Sequence, residues 1–87
     1  MPAYIISYDM AEEGDYEPLL DAIKSYGTWA HITESTWAVV TNQGASQVRD
    51  NLGSYLPSGS RLFVIKSGVE AAWGNVMCRD DWLKRNL

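Results

Sequence analysis

Residues 3–9 constrain the fold more than any other part of this chain, because they are apolar along almost their whole length. Their sequence is Ala-Tyr-Ile-Ile-Ser-Tyr-Asp, in which five of the seven residues are aromatic, β-branched or alanine and the first six carry no charge. This composition predicts a β-strand that is packed on both faces rather than half in water. The strand ends on Asp9, and an acidic loop over residues 10–14 follows. Either Asp9 is a functional acid at the strand's C-terminal edge, or it begins a solvated turn.

The rest of the chain alternates between helical and strand patterns. Asp15 is a suitable cap for a first helix, and Gly27 suits the left-handed residue that ends one. A short polar break at residues 34–36 separates two β-rich segments and predicts a hairpin. The predicted elements after the first strand are a helix over residues 15–26, strands over 29–33 and 37–41, a helix over 45–55 and a strand over 61–66.

We therefore expect one α+β domain over residues 1–87, in the ferredoxin-like βαββαβ arrangement. Right-handed crossovers in this order give a four-stranded antiparallel sheet with two helices on one face. Residues 69–74 predict either a fifth strand or a turn, and residues 80–85 predict a terminal helical turn. Because strands one and four are apolar on both faces, the second sheet face needs a cover, and a second copy of the chain is the economical one. Four Trp and five Tyr also favour a homodimer.

The charge distribution narrows the choice of partners. The net charge is −4, and six of the eleven acidic residues lie between Asp9 and Asp21. This argues against a broad phosphate-binding surface, so nucleic-acid binding needs a local basic patch or a bridging divalent ion.

Other counts exclude several classes of site. A single Cys and a single His cannot form a disulfide framework or a Cys/His zinc site within one chain. The N-terminus lacks the basic region of a secretory signal, and no run approaches the roughly 18 apolar residues of a membrane span. We expect a cytoplasmic protein without a membrane partner.

Three short motifs resemble the second core CRISPR-associated (Cas) protein family. They are Tyr8-Asp9 at the end of the first strand, Glu34-Ser35-Thr36-Trp37 before the third, and Leu62-Phe63-Val64-Ile65 followed by Trp73. Within that family the chain is most similar to the SinR-like branch, which is also similar to the VapD toxins. The resemblance covers about residues 3–74.

The resemblance implies a ferredoxin-like homodimer that packs through its sheets, with the first-strand Asp facing its symmetry mate. Some members of the family are endonucleases that cut RNA or DNA with a divalent metal, others are scaffolds for spacer integration, and VapD relatives are ribonucleases. The chain departs from the family pattern at Thr33, where many members have Gln, and at Ser60, where many have Asp. Its helices carry few basic residues, which argues against the integration activity.

Asp9 is the candidate catalytic residue and metal ligand. Two Asp9 carboxylates at a dimer axis repel each other, and a Mg²⁺ or Mn²⁺ ion would join them and support hydrolysis. Ser35 and Thr36 are candidate substrate-binding residues that either bind phosphate or satisfy backbone amides of the turn. His31 and Cys78 are expected to be structural and incidental, respectively.

The acidic loop supports a second hypothesis. Glu12, Glu13 and Asp15 would let a non-catalytic dimer present carboxylates to a basic protein surface or mimic nucleic acid. The sequence therefore leaves open a metal-dependent endonuclease (a magnesium-dependent hydrolase) and a non-catalytic module that binds protein or nucleic acid, in a phage, toxin or CRISPR context.

Overall fold

The computed structural model describes residues 1–11 and 15–87, so Glu12 and Glu13 of the predicted acidic surface lie outside the described residues. Four strands and three helices are present in these residues. In chain order they are β1 (Ala3–Asp9), α1 (Glu17–Lys24), β2 (Trp29–Thr33), β3 (Thr36–Val40), α2 (Ala45–Gly53), β4 (Arg61–Lys66) and α3 (Asp80–Asn86). None of the helices in the described part of the chain has the length and hydropathy needed to cross a membrane.

The four strands form a single sheet in the order β2-β3-β1-β4, and every neighbouring pair is antiparallel. The apolar strand β1 is therefore central, as its two-faced composition requires. The predicted α+β class and four-stranded antiparallel sheet are confirmed. The order of elements is not an exact βαββαβ, because α3 follows β4 and packs as part of the same domain.

Helix α1 begins and ends close to the predicted residues for local reasons. The Asp15 carboxylate accepts a hydrogen bond from the Glu17 backbone N–H at 3.0 Å, so Asp15 supports the first turn from just outside the helix. The helix ends at Lys24, and Gly27 has a φ of +92°, a conformation that costs glycine no steric strain. The apolar stripe between these ends buries Leu19 and Ile23 completely.

The main core lies between the sheet and the two helices α1 and α2. Alternate residues of β1, namely Tyr4, Ile6 and Tyr8, point to this side and are almost inaccessible to solvent. Trp37 and Val39 of β3 pack beside them. The helices contribute Leu19, Ala22, Ile23, Val48 and Leu52 to the same cluster.

The opposite face of the sheet, here called the outer face, is covered mainly by the chain itself on its β2–β3 side. Ala30 and Ala38 lie on the outer face and are almost completely buried. At the edge of β2, the Met77 N–H donates to the Ile32 carbonyl at 2.9 Å, and Leu83 of α3 is only 1% exposed. The β2–β3 side of the outer face is therefore buried within the protomer, and the β4 side is the part left for a second copy to cover.

The segment that follows β4 contains no fifth strand. Residues 67–79 form bends and irregular backbone, so the strand alternative for residues 69–74 is not found. Small residues and glycines in this segment lack the alternating pattern that a strand needs, whereas residues 80–86 form the predicted terminal helix. That helix begins with two acids and ends with two bases, which matches the helix dipole.

The β4 side of the outer face stays open to solvent. Phe63 is 59% exposed and Ile65 is 49% exposed, although both belong to a strand whose other face packs on the core. We refer to these two residues as the open patch. Contiguous apolar surface of this kind marks interaction sites in soluble proteins.

Candidate functional site

Asp9 lies at the C-terminal end of β1, directly opposite Arg61 of β4. The Arg61 Nη1 and Asp9 Oδ2 atoms are 3.7 Å apart, and both side chains are mostly exposed. An exposed pair of this kind contributes only about 0–1 kcal/mol to stability. The carboxylate is therefore held loosely and is accessible to a cation or a ligand from solvent.

A shallow cavity of about 240 Å³ surrounds Asp9 on the outer face. Ser7, Arg61 and Phe63 line this cavity together with Asp9, so the acid adjoins the open patch. The loop after Asp9 is anchored by the Ser60 hydroxyl, which accepts a hydrogen bond from the Ala11 backbone N–H at 2.9 Å. Ser60 therefore helps to fix the backbone beside Asp9 without adding a second carboxylate.

The structure divides the predicted substrate-binding residues between the two faces of the sheet. Thr36 pairs with Ser7 of β1 and so lies near Asp9 on the outer face. Ser35 instead lines a cavity of about 250 Å³ with Tyr8, His31 and Glu34 on the helix side. Its carbonyl accepts the Tyr8 backbone N–H at 3.2 Å. Thr36 therefore shares a face of the sheet with Asp9 without lining the Asp9 cavity, and Ser35 shares neither.

An aromatic cluster centred on Trp37 was not predicted as a unit. The His31 ring stacks on Trp37 with ring centroids 4.0 Å apart, and the Trp29 ring lies 5.4 Å from Trp37 at 48°. Lys24 Nζ lies 5.3 Å from the Trp29 ring centroid, within cation–π range. The alternation of Trp29 and His31 along β2 indicated their shared face, whereas contact with Trp37 depends on the hairpin register.

Two side chains near these aromatic residues, Tyr8 and Cys78, have raised pKa values. Burial raises the pKa of the Tyr8 phenol above its usual value of about 10, although a hydrogen bond from Trp37 Nε1 to the phenol oxygen, at 3.3 Å, partly opposes the shift. Burial also raises the pKa of the Cys78 thiol, which lowers its thiolate fraction at neutral pH. Neither group is prepared for ionic chemistry at neutral pH.

The raised Tyr8 pKa predicts a loss of stability in alkali. An unfolded Tyr8 loses its proton near pH 10, whereas the folded protein holds the neutral phenol, so the stabilisation is complete below about pH 10 and decreases above it. Urea unfolding of the wild type and of Tyr8→Phe at about pH 8 and pH 11 measures this effect. We expect a steeper alkaline decrease in the wild type. Equal decreases in the two proteins would show that Tyr8 is not the responsible group.

The described residues 1–11 and 15–87 contain no group of three or more His, Cys, Asp or Glu side chains that could hold a metal ion. Asp9 can thus supply one carboxylate per protomer, and a divalent ion there would take its further ligands from a second protomer, from water or from a substrate phosphate. No model of a known protein family matches this chain, so the similarity to the Cas family stays a prediction from its motifs.

Proposed function

We propose that this chain forms a ferredoxin-like homodimer through its open patch, and that two Asp9 side chains form a divalent-metal site for endonucleolytic hydrolysis of RNA or DNA. One observation carries the proposal: Asp9 and Phe63 line the same cavity on the uncovered side of the outer face. An interface that buries the open patch therefore brings Asp9 towards the symmetry axis. Two strand residues span about 7 Å and a two-fold axis doubles any offset, so a shared ion requires the axis to pass beside Asp9, at that end of the open patch, rather than through Phe63.

The amount of exposed surface supports assembly. The protomer exposes 5701 Å², whereas a monomer of 9.7 kDa is expected to expose about 5,100 Å². An isologous dimer places the same patch on both sides, so Phe63 and Ile65 would be covered in each protomer.

The chemistry of the proposed site depends on the weak Asp9–Arg61 pair. Two Asp9 carboxylates near an axis repel each other, and a Mg²⁺ or Mn²⁺ ion relieves this repulsion while keeping most of its water ligands. When bound, the ion would polarise a phosphate and lower the pKa of a bound water. Arg61 lies close enough to contact the same phosphate, and Thr36 of β3 pairs with Ser7, which is two residues from Asp9 on the same face.

A second function, a non-catalytic dimeric module that binds protein or nucleic acid, is favoured by the same ion pair. Arg61 already provides Asp9 with a positive partner at 3.7 Å, so the pair needs no metal to be balanced. Asp9 would then shape the charge of the interface edge and take no part in hydrolysis. Loss of the Asp9 carboxylate distinguishes the two functions. It removes metal-dependent hydrolysis under the first function, whereas under the second there is no hydrolysis to lose.

Asp9→Asn is expected to lower metal-dependent cleavage by at least about 100-fold, because even outer groups around a metal typically contribute 10–100-fold and the amide cannot replace an anionic ligand. Cleavage of labelled single-stranded RNA and duplex DNA with Mg²⁺ or Mn²⁺ measures the loss. Thermal unfolding with each ion measures metal binding without activity, and the wild type should gain stability whereas Asp9→Asn should not.

Asp50→Asn is the matched control, because Asp50 forms an exposed pair with Arg49 at 3.0 Å on α2, away from the open patch. It should cleave and bind metal like the wild type. Wild-type protein that neither cleaves nor gains stability with either ion would end the hydrolase proposal and leave the binding module.

A further inference from the structure

An open cleft runs along the free edge of β2, which is the sheet edge opposite β4 and the open patch. It has a volume of about 320 Å³ and lies between the edge strand and the C-terminal segment. Trp29 and Ala30 line it from β2, and Met77, Arg79 and Trp82 line it from the C-terminal segment. Its size falls at the lower end of the range for ligand pockets, about 300–1,000 Å³. We refer to it as the edge cleft.

The register of the sheet shows which backbone groups face this cleft. The Val40 N–H donates to the Thr28 carbonyl at 3.0 Å, so these two residues form a hydrogen-bonded pair between β3 and the start of β2. Hydrogen-bonded and non-hydrogen-bonded pairs alternate in an antiparallel ladder. The next pair, Trp29 with Val39, is therefore non-hydrogen-bonded, and His31 with Trp37 is as well. The N–H and C=O groups of Trp29 and His31 consequently point away from β3, towards the free edge.

One end of this edge is already hydrogen-bonded to the C-terminal segment of the same chain. At the bulge after His31, the Met77 N–H donates to the Ile32 carbonyl at 2.9 Å. This bond brings the C-terminal segment to one end of β2, and the edge cleft separates the two beyond that point. An unpaired strand edge beside an apolar cleft is the arrangement in which an extended peptide adds a strand and places a side chain in a pocket.

The walls of the edge cleft are fixed before any partner binds. Trp29 is 38% exposed, and its ring packs 5.4 Å from Trp37 under the Lys24 ammonium. Trp82 lies in α3 and precedes Leu83, which is buried. Two indoles held in this way supply contact area with little loss of side-chain entropy on binding.

The charges near the edge cleft favour a peptide over a phosphate-bearing ligand. Arg79 is opposed by Asp81, with 3.9 Å between Nη2 and Oδ2. Asp80 is close enough to contribute to the raised pKa of the Cys78 thiol, so a second carboxylate borders this end of the cleft. A phosphate would meet these two acids, whereas an uncharged backbone with an apolar side chain would not.

We propose that the edge cleft binds an extended peptide segment of a partner protein, which pairs with the Trp29 and His31 backbone and places one aromatic or large aliphatic side chain against Trp29 and Trp82. This site is separate from Asp9 and does not depend on the proposed hydrolysis. The ladder accounts for the backbone recognition, and the indole walls account for the preference for an apolar side chain.

The test uses the full chain and a synthetic probe, the acetylated and amidated pentapeptide Thr-Val-Trp-Val-Thr. Amide exchange and chemical shifts are followed by NMR during the titration. We expect the Trp29 and His31 amides to exchange at least about tenfold more slowly with the peptide bound, because an added strand satisfies them. The Val64 amide, on the opposite sheet edge, serves as the internal control and should not change.

Two further arms make the result specific. N-methylation of the peptide backbone should weaken binding by at least about tenfold on unaltered protein, since it removes ladder donors. Trp82→Ala should weaken it similarly, whereas Tyr55→Ala, at an exposed aromatic on the helix side, should not. Equal binding of the N-methylated peptide, changes centred on Val64, or tighter binding of adenosine monophosphate than of the peptide would each overturn the proposal.

Discussion

Replacing Leu83 by alanine is expected to destabilise the protein by about 2–5 kcal/mol, the usual cost of removing a buried leucine side chain. Leu83 is 1% exposed, although it lies four residues before the end of the sequence in a helix of seven residues. Because the Leu83 side chain is buried on all sides, the change would leave a cavity there. A domain of this size has a total stability of only about 5–15 kcal/mol.

Urea unfolding followed by tryptophan fluorescence measures this loss. Leu87→Ala is the matched control, because Leu87 lies one turn further on and is only half-buried. The control should cost less than half as much. A Leu83 variant as stable as the wild type would show that the C-terminal segment does not pack on the sheet in solution.

Phe63→Glu is expected to weaken self-association by at least about 30-fold, which corresponds to the 2 kcal/mol or more of a central aromatic contact. Phe63 is already 59% exposed in the protomer, so the change should leave the stability of the protomer nearly unaltered. A buried glutamate on each side of a two-fold axis would add like-charge repulsion to the lost apolar contact.

Sedimentation velocity over a range of protein concentrations measures the shift in the association constant. Tyr55→Glu is the control, since Tyr55 is 44% exposed on the opposite side of the sheet, at the end of α2. It should associate like the wild type. If both variants remain associated equally, the open patch is not the interface.

Most of the secondary structure could be predicted because local signals and tertiary packing agree. The apolar residues 3–9 form the central strand, and the buried residues of α2, Val48 and Leu52, lie four positions apart, as on one face of a helix. Gly27 ends the first helical segment in the left-handed conformation that only glycine adopts easily. These features depend on residues within a few positions of one another.

The cover of the outer face could not be predicted, because it depends on contacts between distant segments. Residues 67–79 have no periodic pattern, and the burial of Leu83 follows from how this irregular segment returns to the sheet. Strands that are apolar on both faces therefore predicted that most of the outer face is available to a second copy. In the structure, the exposed apolar part of that face is the open patch on β4.

Only part of the candidate site could be predicted, because the rest depends on which residues of distant strands pair. The position of Asp9 at the strand end followed from composition, whereas its Arg61 partner depends on the β1–β4 register. Ser35 and Thr36 lie on different faces of the sheet because neighbouring residues at the start of β3 point in opposite directions. The stack of His31 on Trp37 likewise depends on the β2–β3 pairing and on the bulge after His31, and no local sequence pattern predicts that bulge.

The molar mass of the wild-type protein in solution tests the central claim most directly. Multi-angle light scattering at tens of micromolar protein should return about twice 9.7 kDa, because the open patch and the paired Asp9 site both require a second copy. The Phe63→Glu variant, measured alongside, should return a lower mass at the same concentration. A wild-type mass of 9.7 kDa under these conditions would contradict the homodimer, and the paired Asp9 site with it.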